Sequence, residues 1–265
     1  DQRLKIVVIE RCENHVLRAG DLQSPRFARG SHGRRLQIAG TRFGAFFATV
    51  LLTATTALHA ADWPMWRYDA MRSAASPEEL PPQLHLQWTR QYSPRVQVWD
   101  DPLNQDLMAY DRIFEPVVLG ERVFLGFNDA DKVTALDLRS GKELWEFFTD
   151  GPVRFAPVAW RDKVYFTSDD GHLYCVGAAD GQLKWKLRGG PSAQKVLGNQ
   201  RVISAWPARG GPVLRDGRVY FAASIWPFMG TFIYAVDAET GKVAWVNDGT
   251  GAQFIKQPHN APSFA

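Results

Sequence analysis

The sequence of 265 residues contains only two cysteines, Cys12 and Cys175. The first lies in an N-terminal stretch that the sequence predicts to be removed, so a single thiol would remain. A lone thiol excludes an intramolecular disulfide, and no disulfide framework can therefore hold the fold together.

Residues of the kinds that carry catalysis or bind metals are also scarce. After residue 60 the histidines are His85, His172 and His259, which lack the spacing of a zinc site. The stretch NDAD (128–131) has carboxylates at calcium-loop spacing without the glycine and distal glutamate of such a loop, and DDG (169–171) has the composition of a hairpin turn. We interpret both as turns. The sequence also has no glycine-rich phosphate loop and no nucleophile elbow, so it predicts no catalytic residue and no metal ligand.

The net charge of +3 comes from the N-terminal part of the chain. Residues 1–60 hold nine of the 31 basic and four of the 28 acidic residues, which leaves 22 basic and 24 acidic residues after them. A nearly neutral remainder gives no reason to expect a nucleic-acid partner.

An eleven-residue pattern occurs three times, as ALDLRSGKELW (135–145), CVGAADGQLKW (175–185) and AVDAETGKVAW (235–245). Each copy begins with a small residue and has a glycine at its seventh position and a tryptophan at its eleventh. These residues are Gly141, Trp145, Gly181, Trp185, Gly241 and Trp245. The glycine suits a tight hairpin that needs a positive φ, whereas the tryptophan offers a large flat face to bury against a neighbour.

Each pattern completes a longer unit of four predicted strands, of which the first follows a proline and the fourth carries the tryptophan. The units cover about residues 116–151, 157–190 and 212–251. Trp145 and Trp185 are 40 residues apart, and a four-strand unit that recurs at about 40 residues is typical of a β-propeller blade. The sequence therefore predicts an all-β fold of four-stranded antiparallel blades.

The three patterns resemble the tryptophan-docking motif of the PQQ-type (pyrroloquinoline quinone-like) β-propeller repeat. That family includes the quinoprotein alcohol dehydrogenases and the propeller lipoprotein of the bacterial outer-membrane assembly machinery. The second copy departs from the motif, with Cys175 for the small residue and Gly177 where aspartate is usual. Because Cys175 stands where the other copies have Ala135 and Ala235, we interpret it as a small buried residue rather than a reactive thiol.

The resemblance implies a ring that usually has eight blades, whereas this sequence supplies about three. We expect LHLQW (84–88) to be a ring-closing fourth strand and residues 61–265 to be a fragment of an eight-bladed propeller. Trp63 and Trp66 resemble the segment that in this family packs against the propeller rim before the first blade. The resemblance also implies PQQ with calcium as a cofactor of the complete protein, although the residues present predict no cofactor by themselves.

The first 60 residues read as a leader. Residues 1–33 lack sustained periodicity, and we expect them to be unstructured. Residues 34–60 combine a basic flank, an apolar run from Phe43 to Leu58 and a small-residue exit, which predicts a secretory signal peptide cleaved near Ala60. The prediction is a periplasmic or extracellular protein with no stable membrane span after cleavage. An uncleaved N-terminal anchor and twin-arginine export through Arg34-Arg35 are the alternatives.

The connections between the predicted blades are long on one face. From the motif tryptophan to the next blade-opening proline there are 12, 27 and 17 residues, and the second hairpin of the third unit is also enlarged. These loops contain the candidate ligand or partner residues Arg201, Trp206, Arg209, Trp226, His259 and Asn260. Aromatic residues interleaved with arginine suit a flat or anionic ligand. The alternative is that the loops only pack on one another.

Three functions remain open from the sequence, and it leaves undecided whether the protein is an enzyme. The first is an exported binding or scaffold propeller that meets a protein or small molecule on the loop-rich face. The second, which the resemblance implies, is a PQQ-dependent quinoprotein oxidoreductase. The third is a propeller module fused to a catalytic domain beyond residue 265.

Overall fold

The computed structural model describes residues 3–11, 62–80, 82–94, 115–198, 201–224 and 229–248. The predicted signal peptide (34–60) and the candidates Trp226, His259 and Asn260 lie outside these ranges, so what the sequence predicts for them stays a prediction. Within these ranges no helix is long and apolar enough to cross a membrane.

Sixteen β-strands form the regular structure of the described residues. They are β1 (Arg3–Arg11), β2 (Leu84–Pro94), β3 (Val117–Leu119), β4 (Arg122–Phe127), β5 (Lys132–Asp137), β6 (Glu143–Phe148), β7 (Val158–Trp160), β8 (Lys163–Thr167), β9 (His172–Gly177), β10 (Leu183–Arg188), β11 (Lys195–Gly198), β12 (Arg201–Ser204), β13 (Val213–Arg215), β14 (Arg218–Ala223), β15 (Phe232–Asp237) and β16 (Val243–Asp248).

Twelve of these strands form three four-stranded antiparallel sheets. Each sheet takes its strands in sequence order: β3 to β6, β7 to β10, and β13 to β16. The predicted all-β class and the four-stranded antiparallel blades are confirmed, and we call the sheets blades 1, 2 and 3. The insertion between blades 2 and 3 forms a hairpin of its own from β11 and β12.

The hairpin between the third and fourth strand of a blade is held by its own side chains. In blade 1 the Asp137 carboxylate accepts hydrogen bonds from the backbone N–H of Ser140 (2.7 Å) and from its hydroxyl (2.6 Å), and these bonds hold the pKa of Asp137 below its ordinary value. Gly141 follows with a φ of 68° and donates its N–H to the Asp137 carbonyl. A positive φ is open to glycine at little cost, so glycine suits this turn.

Two motif tryptophans, Trp145 and Trp185, lie at the junctions between blades, whereas Trp245 is 45% exposed. A Cβ atom added to Gly181 would lie 2.7 Å from the Trp145 ring, and one added to Gly241 would lie 2.7 Å from the Trp185 ring. The Trp145 indole N–H donates to the Ala178 carbonyl of blade 2 at 3.1 Å. Each indole thus covers the glycine of the following blade, and a side chain at that glycine would exclude it.

The apolar core is divided between these junctions. One cluster joins blades 1 and 2 through residues such as Phe124 and Phe166, and a second joins blades 2 and 3 through residues such as Tyr165 and Phe221. Cys175 is fully buried in the second cluster, and burial raises the pKa of its thiol to about 12, which keeps the thiol protonated.

The segment after the predicted cleavage point lies along the first strands of the blades. Trp63 exchanges two backbone hydrogen bonds with Val118 in blade 1 (3.0 and 2.8 Å), and the Pro64 carbonyl accepts from Ala159 in blade 2 (2.8 Å). The Arg72 guanidinium reaches the Pro212 carbonyl just before blade 3, at 3.1 Å. Residues 62–74 therefore tie all three blades together at their first strands.

The prediction of an unstructured leader is wrong for residues 3–11, which form β1 and pair antiparallel with β2. The physical reason is the run from Ile6 to Ile9, because four consecutive β-branched residues favour an extended strand. A strand also needs a partner, and the partner here lies more than 70 residues along the chain. The remainder of the predicted leader lies outside the described residues.

Candidate functional site

The loops between blades and the hairpins between second and third strands emerge on one face of the sheets. We call this the loop face; its described parts are residues 128–131, 149–157, 168–171, 189–198 and 201–212. Backbone hydrogen bonds join these loops. Ser204 donates to the Asp169 carbonyl (2.9 Å), and Asp169 donates to the Pro152 carbonyl (2.9 Å).

A buried ion cluster lies at the centre of the loop face. The side chain of Asp169 is 1% exposed and accepts from Arg209 through Nε to Oδ1 (3.0 Å) and through Nη2 to Oδ2 (2.8 Å). Arg154 also donates to Oδ2, at 2.8 Å. Charge-assisted bonds of this kind are roughly twice as strong as neutral ones. One carboxylate thus links the loop before blade 2, the hairpin within blade 2 and the loop before blade 3.

The candidate residue Arg209 is therefore a partner of Asp169, and Arg201 is also paired. Arg201 donates through Nη1 to the Asp131 carboxylate and through Nη2 to the Asp129 carbonyl, the latter at 3.1 Å. Burial raises the pKa of Asp131, and the nearby Arg201 charge acts in the opposite direction. The structure connects both arginines to aspartates of the preceding hairpins rather than leaving them together as an anion site.

Trp206 is mainly a packing residue. It is 8% exposed, and its indole N–H donates to the Met229 carbonyl at 2.9 Å. A Cβ atom added to Gly190 would lie 2.7 Å from the Cβ of Trp206, so the backbone at Gly190 approaches Trp206 closely. Trp206 thus connects the insertion to the enlarged hairpin of blade 3 and offers little ring surface for stacking.

A second buried carboxylate was not singled out by sequence. Asp170 accepts from the Tyr174 hydroxyl at 2.5 Å and from the His172 backbone N–H at 3.0 Å, and the His172 ring nitrogen Nδ1 lies 3.2 Å from its Oδ1. Burial acts to raise the pKa of Asp170, but the hydrogen bonds from His172 and Tyr174 outweigh it and lower the pKa. These groups stabilise one another and hold the hairpin of blade 2.

The hairpin β11–β12 presents an apolar pair to solvent. Leu197 and Val202 are cross-strand partners, and they are 79% and 58% exposed. Their neighbour Ile203 faces the opposite side of the hairpin and is buried. The hairpin is anchored at its base by the Arg201 to Asp131 ion pair and by the bond from Ser204 to Asp169.

A hollow of about 390 Å³ lies beside the first strand of blade 1, between residues that the sequence did not select as a site. Its lining includes Trp63, Trp66 and Glu115, and burial raises the pKa of the Glu115 carboxyl. The loop that follows Trp66 has an unusual backbone. It contains four non-glycine residues with positive φ: Arg67, Tyr68, Arg72 and Ala74.

Comparison with known proteins identifies the family of the repeat. Residues 87–245 match the family model described as outer membrane protein assembly factor BamB. The chain belongs to this family of PQQ-like β-propeller proteins. The match covers blades 1 and 2 completely, includes the motif tryptophan of blade 3, and begins within β2.

Sequence relatives of this PQQ-like propeller include quinoprotein dehydrogenases. The dehydrogenase subunit of the quinone-dependent alcohol dehydrogenase of Gluconobacter oxydans is 32% identical over 126 residues, which are 43% of this chain and 16% of the relative. A quinohemoprotein alcohol dehydrogenase of Pseudomonas putida is 27% identical over 178 residues, which are 59% of this chain and 23% of the relative. The match therefore spans less than a quarter of either relative.

Two solved structures superpose on parts of this chain. The quinohemoprotein alcohol dehydrogenase of Comamonas testosteroni superposes with a TM-score of 0.47 and 20% identity, over 70% of this chain and 27% of that chain. BamB from Moraxella catarrhalis superposes with a TM-score of 0.39 and 23% identity, over 49% of this chain and 38% of that chain.

The described residues do not form a site for PQQ with calcium. Calcium needs several oxygen ligands around one point. No three His, Cys, Asp or Glu side chains of the described ranges converge in this way. Both oxygens of Asp169 and both oxygens of Asp170 already carry hydrogen bonds from neighbouring side chains. We therefore derive no step through this cofactor.

Proposed function

We propose that this PQQ-like propeller is an exported module that binds a partner protein through its loop face. The observation that carries the proposal is the exposed apolar pair Leu197 and Val202 on a hairpin that rises from an ion-paired base. Two large aliphatic side chains this exposed bury little apolar area within the chain, whereas a partner that covers them gains about 25 cal/mol per Å² of apolar area buried. Exposed apolar groups with a polar rim are typical of protein interfaces.

The base of the loop face supports the same role, because a preorganised surface loses little entropy on binding. Asp169 holds three loops through two arginines, and Arg201 fixes β12 to the hairpin of blade 1. In this proposal Arg201, Trp206 and Arg209 shape the surface, and the hairpin makes the contact. Trp226, His259 and Asn260 remain candidates for the same face.

The test is site-specific photo-crosslinking in the complete exported protein. A photoreactive residue at position 197 is expected to give a discrete adduct in the cell envelope, and Val202→Glu in the same chain is expected to abolish it. Leu80, which is 81% exposed and lies outside the loop face, provides the matched control position. Equal adducts from positions 197 and 80, or an adduct that survives Val202→Glu, would contradict the proposal.

A PQQ-dependent oxidoreductase is the second candidate, and the quinoprotein relatives favour it. In that case the described blades form a wall of the propeller, and the cofactor ligands come from other parts of the complete protein. Calorimetric titration with PQQ and calcium separates the two candidates. Submicromolar binding by the complete protein supports the oxidoreductase, and no binding by the complete protein removes it.

A further inference from the structure

The N-terminal strand β1 occupies, beside β2, the position that a third strand occupies beside the fourth strand of a blade. In blade 1 the first motif residue lies opposite the tryptophan, as Ala135 opposite Trp145. The next residue then lies opposite the position two before the tryptophan, as Leu136 opposite Glu143. The same one-residue irregularity recurs in blades 2 and 3.

Strand β1 repeats this register. Val8 lies opposite Trp88, and Ile9 lies opposite Leu86, two positions before that tryptophan. The shift thus falls at the same step of the ladder as in the three complete blades. A register slip by one residue would exchange the two faces of the strand, so agreement at this step is specific.

The amino-acid sequence of β1 also has the third-strand pattern. The four segments are KIVVIE (5–10), KVTALD (132–137), HLYCVG (172–177) and FIYAVD (232–237). In this alignment the second and fifth positions are apolar in every segment, and the fourth is valine, alanine or cysteine. Residues 5–10 therefore carry the composition as well as the register of a third strand.

The contacts of β2 with blade 1 are those of a fourth strand. The Trp88 ring covers Gly141, where an added Cβ atom would lie 2.6 Å from it, and the indole N–H donates to the Leu138 carbonyl at 2.8 Å. Trp145 makes the same two contacts with blade 2. In each blade the fourth strand lies at the end of the sheet and pairs with the third strand, and β2 pairs with β1 in the same register.

We infer that residues 3–11 serve as a substitute third strand, which covers the acceptor edge of β2 for as long as the leader remains attached. An uncovered edge strand is a template for pairing with another chain, and added strands bind such edges through backbone hydrogen bonds. The partner that this edge fits is a third-strand segment with the pattern above. Cleavage near Ala60, which the sequence predicts, removes β1 and opens the edge.

Paired cysteines in the full-length chain test the register. With Cys12→Ser in the background, Val7→Cys with Thr89→Cys joins Cα partners, whereas Val8→Cys with Thr89→Cys joins positions on opposite faces. The matched positive control is Thr134→Cys with Glu146→Cys, which are partners at the equivalent place in blade 1. We expect the partner pair to cross-link about as well as the control and roughly tenfold better than the offset pair.

Hydrogen exchange tests whether the edge is covered. In the full-length chain, Val7→Pro with Val8→Pro removes two backbone donors from β1 and is expected to speed exchange in residues 84–94 about tenfold while β14 and β15 stay unchanged. A concentration-dependent dimer of this variant, with residues 84–94 protected again, also supports the inference. Equal cross-linking of both β1 pairs, or unchanged exchange in residues 84–94 while the variant is monomeric, overturns it.

Discussion

The junction between blades 2 and 3 allows a sharp prediction about Tyr165. At the two other junctions the indole N–H of Trp88 or Trp145 donates to a carbonyl of the next blade. At this junction the corresponding carbonyl, Ala238 O, accepts from the Tyr165 hydroxyl at 3.0 Å, and the buried Trp185 indole nitrogen has no hydrogen-bond partner among the described residues. The tyrosine hydroxyl thus occupies the acceptor that the tryptophan uses elsewhere.

Removing the hydroxyl in Tyr165→Phe is expected to leave stability almost unchanged. The variant loses one hydrogen bond, worth about 1 kcal/mol, and frees the Ala238 carbonyl for the Trp185 N–H, whose unsatisfied burial costs about 1–3 kcal/mol. The two effects are similar in size and opposite in sign, so the expected change in the free energy of unfolding is within about 1 kcal/mol. Blade 1 has this arrangement already, because Phe124 takes the place of Tyr165.

Tyr174→Phe is the matched control for this prediction. Tyr174 is also buried, but its hydroxyl donates to the Asp170 carboxylate. None of the described tryptophans is placed to donate to Asp170 in its place. Loss of a bond to a charged acceptor costs about 1.5–3 kcal/mol. Denaturant titration of both variants gives the comparison, and slower exchange of the Trp185 indole proton in Tyr165→Phe gives an independent readout. If Tyr165→Phe loses as much stability as Tyr174→Phe, the exchange of donors at this junction does not occur.

Two further predictions concern contacts between and within the blades, and a third concerns the predicted signal peptide. Gly181→Ala is expected to destabilise by about 1–3 kcal/mol more than Gly217→Ala, since both glycines have a positive φ but only the first is covered by an indole; thermal unfolding of the pair measures the difference. Asp169→Asn removes the charge of a buried carboxylate that accepts from Arg154 and Arg209, and it is expected to cost about 3 kcal/mol. Glu239→Gln at a surface ion pair is expected to cost about 0–1 kcal/mol, and equal denaturant midpoints for the two variants would refute this. N-terminal sequencing of the exported protein is expected to find a start near residue 61, and a start before residue 43 would refute the predicted signal peptide.

The blades were predictable because their signals are local. The pattern from Ala135 to Trp145 contains the turn glycine, the strand that precedes it and the tryptophan, so one short window specifies a hairpin and its junction residue. Each copy then repeats that window, and recurrence excludes chance. The register between the third and fourth strands follows from the same window, because the hairpin length fixes which residues lie opposite each other.

The position of the loop face was predictable from the sequence, but the contacts between its side chains were not. Counting residues between Trp185 and Pro212 locates a long insertion, but nothing in the spacing indicates that Arg209 lies on Asp169, 40 residues before it. Pairings of that kind depend on how separate loops meet in three dimensions. The same limit applies to β1, because the run from Ile6 to Ile9 favours a strand but does not indicate which distant strand it pairs with.

The junction contacts of the motif and the surface of the loops have different roles in this propeller. Stability at the blade junctions rests on the motif, because Trp145 and Trp185 each pack on the motif glycine of the following blade, and no described residue of the loop face contributes to that contact. The loops can therefore differ in length and sequence from blade to blade without weakening the junctions, as the hairpin β11–β12 does. Substitutions at Leu197 and Val202 should then change binding with little effect on unfolding, whereas substitutions at Gly181 or Trp145 should do the reverse. A module built in this way can acquire a new partner by changing one insertion.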